Sequence, residues 1–212
     1  MFNNKYEPTT FNELVFADAV IRFLLEQYAT GGRCGNVLLH GTYGTGKTTA
    51  ANVIVKSAMK DSDWVTDEYH GAELTNKNFK RIIGGWDWQI ANRAPYGYCI
   101  INELDMLPPL LQNEVRALMD NYKGIAGFIF TTNNLHNVQT AFKSRCEVVE
   151  IAPLTAASML NRAKYILTAE GVTVDDKKLS TALATCGGDM RNIERTLENI
   201  VLRMRIKQQK AA

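Results

Sequence analysis

The 212-residue sequence predicts an α/β fold, a parallel sheet with helices on both faces, followed by a small all-helical domain. Three observations carry that prediction. Short apolar runs bounded by turn formers alternate with helical periodicity up to about residue 152. One run leads directly into a glycine-rich loop and a helix, the unit that cradles phosphate. From Pro153 onward only helical spacing remains.

Residues 17–28 place Val20, Phe23, Leu24 and Tyr28 at helical spacing, and Gly31-Gly32 stops that helix. Residues 36–40 read as a buried strand and 48–59 as the helix after the loop. Further strands are expected at 64–66, 98–102, 127–132 and 148–151, and helices at 76–83, 110–121 and 138–143. Strands alternating with helices imply a five-stranded parallel sheet covered on both faces. Beyond a boundary near 152, Thr155 is the expected N-cap of a helix to about Glu170. Asp175 or Asp176 caps a second helix to Thr185. Asp189 caps a third to about Arg205, with fraying after Gln208. The expected units are residues 1–152 and 153–212.

Composition is that of an ordinary globular protein, 46% hydrophobic and 22% charged. A net charge of +2 sets up no overall field that demands nucleic acid. No apolar run approaches the ~20 residues of a membrane span, and Met1-Phe2-Asn3-Asn4-Lys5 opens no signal-peptide core. An intracellular, cytoplasmic protein without a membrane partner is expected. Cys34, Cys99, Cys146 and Cys186 lie far apart without a CxxC pair and read as reduced thiols. His40 and His70 have no partner pattern that marks a ligand site.

Gly41-Thr42-Tyr43-Gly44-Thr45-Gly46-Lys47-Thr48 fits GxxxxGK[ST] in full. Glycines let backbone N–H groups surround an anion, and a helix N-terminus adds its dipole. Lys47 supplies a point charge to the β- and γ-phosphates, and the Thr48 hydroxyl is a ligand for Mg²⁺. The cofactors expected are therefore ATP and Mg²⁺. A second strand, ending Asn102-Glu103-Leu104-Asp105, is expected beside the phosphate strand. Asn102 stands at the metal position as a neutral amide, and Glu103 is the candidate general base that polarises the attacking water. A slow turnover that Asn102→Asp would raise is the expected consequence.

Taken in order, these motifs resemble those of AAA+ ATPases, and among them the small subunits of sliding-clamp loaders. Residues 5–15 resemble the opening KYRPxxFxEVV, with Glu7 where the family has Arg. The resemblance implies that Tyr6, Pro8, Val15 and Phe16 form the base pocket. It makes Asn133 the sensor that holds the attacking water or the γ-phosphate, with Asn134 as the alternative if the register slips. Ser144-Arg145-Cys146 resembles the SRC motif, in which Arg145 is an arginine finger reaching a neighbouring subunit's ATP. Gly187-Gly188-Asp189-Met190-Arg191 resembles the lid motif, whose Arg191 contacts the γ-phosphate of its own subunit. The resemblance implies a homo- or hetero-oligomeric ring or spiral formed through Arg145, with DNA and a sliding clamp or other protein as partners. A helical collar usual in such subunits has no counterpart in these residues.

Lys77, Lys80 and Arg81 begin a basic helix that suits either DNA phosphates or a solvated face backed by Phe79, Ile82 and Ile83. Trp86 and Trp88 suit base stacking or, better, core and interface anchors. The sequence thus predicts an ATPase of oligomer interfaces acting on DNA. The alternative is an ATP-gated assembly switch or regulatory subunit with slow or no hydrolysis.

Overall fold

The computed structural model describes residues 2–59, 67–92 and 96–211. The chain runs through α1 (Phe2–Lys5), a 3-10 turn at Phe11–Glu13, α2 (Ala19–Ala29), β1 (Val37–His40), α3 (Lys47–Ala58), β2 (Asp67–His70) and α4 (Asn76–Ala91). It continues with β3 (Gly97–Asn102), α5 (Pro109–Asn121), β4 (Ala126–Thr132), α6 (Thr140–Lys143) and β5 (Glu147–Glu150). Three helices close it: α7 (Ala156–Ala169), α8 (Asp176–Ala184) and α9 (Met190–Ala211). The five strands are all parallel, in the order β2-β3-β4-β1-β5.

Parallel strands need helical crossovers, so both faces of this sheet are covered and its inner strands are apolar throughout. Every residue of β3 and β4 is buried. The two-residue period of a strand then sorts side chains between two cores. Val37, Leu39, Ile100 and Ile129 face α2 and α3. Leu38, Cys99, Ile101, Phe128 and Phe130 face the side of α4, α5 and α6. On that second side Phe128 stacks on Phe130, and Phe142 meets Phe130 edge-on at 4.8 Å.

The expected strand at 64–66 lies outside the described residues. The other expected elements are present among the described residues, with differences that have physical causes. Strand β3, expected beside the phosphate strand, pairs with β2 and β4 instead, so β4 takes the ladder next to β1 and separates the two. The edge strand seen is Asp67-Glu68-Tyr69-His70, polar because only one neighbour and one face cover it. Helix α4 does not stop at residue 83 but runs through Gly84 and Gly85 to Ala91. Two glycines cost a helix ~1 kcal/mol each against alanine. Trp86, just past them, is buried edge-on against both Tyr122 and Phe128, and burying such a side chain contributes ~1.5–3 kcal/mol or more. Asp18 accepts from the Val20 N–H and so caps α2, which starts two residues later than expected. Asp175, not Asp176, caps α8. Helix α9 continues past Arg205 to Ala211. Among the described residues no helix is long and apolar enough to cross a membrane.

The helical end has its own core, built from Leu154, Met159, Ala163, Ile166, Leu179, Leu183, Ile193 and Leu197. Phe2 and Tyr6, from the other end of the chain, join it. A carboxylate fastens this N-terminal strap. Glu170, just past α7, accepts from Lys5 Nζ and Tyr6 Oη, each at 2.6 Å, on one oxygen and from Arg205 at 2.6 Å on the other. These bonds, that of Lys5 foremost, hold the Glu170 carboxyl down to about 2 from an ordinary 4.5. A depressed carboxylate stabilises the fold above its unfolded pKa, and the benefit disappears as pH falls toward the folded one. Glu170→Gln should therefore melt below the wild type at pH 7, with the gap closing between about pH 4.5 and pH 2. A gap independent of pH in thermal melts would refute this account.

Candidate nucleotide site

The loop after β1 turns on glycine. Gly46 has φ 84° and ψ 18° and forms the left-handed N-cap of α3, a conformation that costs other residues a Cβ–carbonyl clash. Gly44 has φ 75°, and a Cβ there would run into the Asp189 carboxylate of the helical end. Lys47 opens α3 and is buried. Its ammonium donates to the Gly41 carbonyl at 2.9 Å and the Thr42 carbonyl at 2.7 Å. Burial pushes the Lys47 ammonium down from its usual pKa, and the nearby Arg191 guanidinium adds to this, against opposing pulls from Asp105 and Glu103. Such a group gains from an anion that relieves both effects.

Facing the loop are the C-terminal ends of β3 and β4. Ile100 and Ile129 point toward α3, so Asn102 and Thr131, two residues on, emerge on that same face at the sheet edge. Thr48, one residue into α3, donates to Asn102 Oδ1 at 3.1 Å. Thr131 donates to the same oxygen at 2.9 Å. The amide nitrogen of Asn102 donates to Glu68 of β2 at 2.6 Å. Glu103 follows with φ 53° and ψ 55°, and among the described residues it is the lone non-glycine at positive φ. Its backbone N–H donates to Thr131 Oγ1 at 3.2 Å, and its carboxylate lies 3.0 Å from His70 Nε2. His70 Nδ1 accepts from the Ala72 N–H, so in the neutral ring the proton sits on Nε2 and is shared with Glu103.

Between these groups and the helical end lies a cleft of about 380 Å³, room enough for a nucleotide-sized ligand. Its lining includes Tyr43 to Thr48, Glu103, Asn133 and Arg191 together with Tyr6, Pro8, Val15 and Phe16. All but four of the expected ATP-site residues thus share one cavity. The exceptions are Gly41 and Thr42, Asn102 behind Thr48, and Arg145. The two neighbouring asparagines differ in their surroundings. Asn133 lines the cleft, while the Asn134 side chain accepts from the His136 N–H and caps a 3-10 turn. The helical end closes over the loop directly: the Met190 N–H donates to the Gly44 carbonyl at 2.8 Å, and Asp189 caps α9 through the Arg191 N–H.

Arg145 sits elsewhere. Its Nε and one terminal nitrogen each donate to Asp120 of α5 at 2.9 Å, and the other donates to the Ala141 carbonyl at 2.8 Å. Lys77 and Lys80 are exposed on α4, whereas Arg81 pairs with Asp67 at 3.0 Å. Phe79 and Ile82 are buried behind them, as for an amphipathic helix. Trp86 is a core residue, and Trp88 is 55% exposed.

The model of the ATPase family associated with various cellular activities (AAA) matches residues 37–154, more than half of the chain. The chain belongs to the AAA family. Among curated relatives, the replication factor C small subunit of Staphylothermus marinus is 25% identical over 197 residues, covering 90% of this chain and 59% of its own length. Replication factor C subunit 4 of Arabidopsis thaliana is 28% identical over 204 residues, covering 88% and 58%. The chain therefore spans about three fifths of the length of these relatives. The Thermotoga maritima RuvB Holliday junction branch migration motor superposes with a TM-score of 0.75 at 15% identity, over 96% of this chain and 67% of that one. That likeness establishes the shared AAA fold.

Three residues that hold Asn102, Glu103 and Arg145 in place carry no signal in the sequence: Glu68, His70 and Asp120. Glu68 and His70 lie on the polar edge strand, whose composition hides it among loops. Asp120 belongs to an otherwise ordinary amphipathic helix. No motif flags any of them, and only the strand register brings His70 opposite Asn102.

Proposed function

We propose that this AAA chain hydrolyses ATP at subunit interfaces of an oligomer and acts on DNA in a clamp-loader-like role. The observation that carries the reading is the division of labour in the site. Lys47, Glu103, Asn133 and Arg191 share one cleft, while Arg145 is displayed on the surface outside it. The names of the replication factor C relatives support the DNA role.

In this reading the adenine lies by Tyr6, Pro8, Val15 and Phe16, and the phosphates by the loop and Lys47. The donor set suits Mg²⁺: Thr48 Oγ1 and Asn102 Oδ1 are hard oxygens already 3.1 Å apart. They would hold the ion, which when bound neutralises phosphate charge. Glu103 and Asn133 position the attacking water. Lys47 and Arg191, with a neighbour's Arg145, compensate charge at the transferred phosphoryl. Lys77 and Lys80 are the proposed DNA contacts, with Arg81 available once released from Asp67. Residues 1–152 and 153–212 act as core and lid, with the strap through Tyr6 and Glu170 crossing between them. A sliding clamp or another protein is the proposed further partner.

ATPase rate against protein concentration, with and without primed DNA, tests the reading. A steep rise with concentration and stimulation by DNA is expected. One observation favours the second reading, an ATP-gated assembly switch: Glu103 is engaged by His70, beside a neutral Asn102. A flat, near-zero rate despite ATP binding would select it.

A further inference from the structure

We propose that Glu68 is a positioning residue for the metal, aiming the Asn102 amide oxygen and restoring the negative charge that asparagine lacks at that place. The inference rests on the Mg·ATP reading above and deepens it.

The amide of Asn102 is held on both sides. Its oxygen accepts from Thr48 at 3.1 Å and from Thr131 at 2.9 Å, and its nitrogen donates to Glu68 Oε1 at 2.6 Å. Hydroxyl groups donate or accept, so Thr48 and Thr131 alone would tolerate either orientation of the amide. A carboxylate only accepts. Glu68 therefore decides which atom of Asn102 faces Thr48, and it selects the oxygen, the atom that a hard cation requires.

The location is built by three elements. Thr48 and Asn52 lie one turn apart on α3, so both face the strand ends. Asn52 Nδ2 reaches the same Glu68 oxygen at 3.3 Å. In the sheet register Glu68 pairs with Ile100 and His70 with Asn102, so Glu68 lies diagonally behind Asn102 on the same face. A carboxylate bonded to the N–H side of an amide polarises it and makes its oxygen a better donor to a cation. Glu68 and Asn102 together thus act as an extended carboxylate, with the charge one hydrogen bond further from the ion.

The arrangement also changes what Asn102→Asp should do. An aspartate there would set a second carboxylate against Glu68 where an amide N–H now donates, replacing a donor–acceptor contact by a like-charge one. The rate gain expected from the sequence should appear only when Glu68→Gln accompanies it.

The test uses the whole chain with saturating ADP and a Mn²⁺ titration followed by the EPR signal of free Mn²⁺. Wild type, Glu68→Gln, Asn102→Asp and the double variant are compared, and thermal melts confirm folding. Glu68→Gln is expected to weaken Mn²⁺ binding by about ten- to hundred-fold, the usual loss for an outer-sphere partner, without changing ADP affinity in EDTA. In the Asn102→Asp background the same Glu68→Gln change should strengthen Mn²⁺ binding. An effect under twofold in the wild-type background, or an equal loss in both, would overturn the proposal. Failure of the wild type to bind ADP at all would instead overturn the nucleotide reading.

Discussion

Arg145→Ala is expected to lower ATP turnover by ~10³–10⁵-fold, the contribution of an arginine supplied in trans in related phosphoryl-transfer systems, while ATP binding to the isolated chain stays unchanged. Binding should survive because Arg145 takes no part in the chain's own cleft. Its donors go to Asp120 and to the Ala141 carbonyl. The Asp120 pair raises the guanidinium pKa and lowers that of the carboxyl. It is nonetheless an exposed pair, and exposed pairs are weak enough to exchange for a phosphate. The planar fork that now grips a carboxylate is suited to a phosphoryl oxygen for the same geometric reason. Arg145→Lys should rescue little, since an ammonium lacks that fork. In a ring of identical subunits, mixing Arg145→Ala with Glu103→Gln chains should restore part of the activity, because each supplies what the other lacks. Turnover by Arg145→Ala near the wild-type rate at equal protein concentration would remove the arginine finger from the scheme.

How much of this was readable beforehand depends on what each feature is made of. The loop at residues 41–48 is specified by local chemistry, since glycine and lysine are needed wherever a backbone wraps phosphate, and the structure places it between β1 and α3 as expected. Strands β1, β3 and β4 were legible because burial on both faces makes them continuously apolar. Strand β2 was not, because an edge strand bordering a polar site carries Asp67, Glu68 and His70, which read as loop. The length of α4 was misjudged at Gly84-Gly85 because tertiary burial of Trp86 outweighs a local helix penalty. The pairings of Asn102 with Glu68, Glu103 with His70 and Arg145 with Asp120 join residues 25 to 34 positions apart, a relation that motif spacing does not encode.

Glu103→Gln is expected to reduce turnover by ~10²–10⁴-fold, the range for losing a general base, with ATP binding retained. The backbone is the strongest argument that Glu103 has been placed for chemistry. A left-handed conformation at a non-glycine residue costs ~1–3 kcal/mol and persists only where the surroundings impose it. Here β3 passes into a 3-10 turn at that residue, the Glu103 N–H is bound by Thr131, and the carbonyl accepts from the Met106 N–H at 2.9 Å. The result is that Glu103 lines the same cleft as Lys47 and Arg191. Yet its oxygen is shared with His70, a bond that competes with one to water. His70→Ala should therefore raise the rate of a chain whose Glu103 is the base and do nothing in the Glu103→Gln background. The pair of variants separates the two readings of the protein. If Glu103→Gln leaves turnover where it was, hydrolysis is not this chain's work, and the cleft serves a bound nucleotide that orders an assembly. If turnover collapses and His70→Ala accelerates it, the edge strand holds the base back, and whatever shifts β2 against β3 sets the rate.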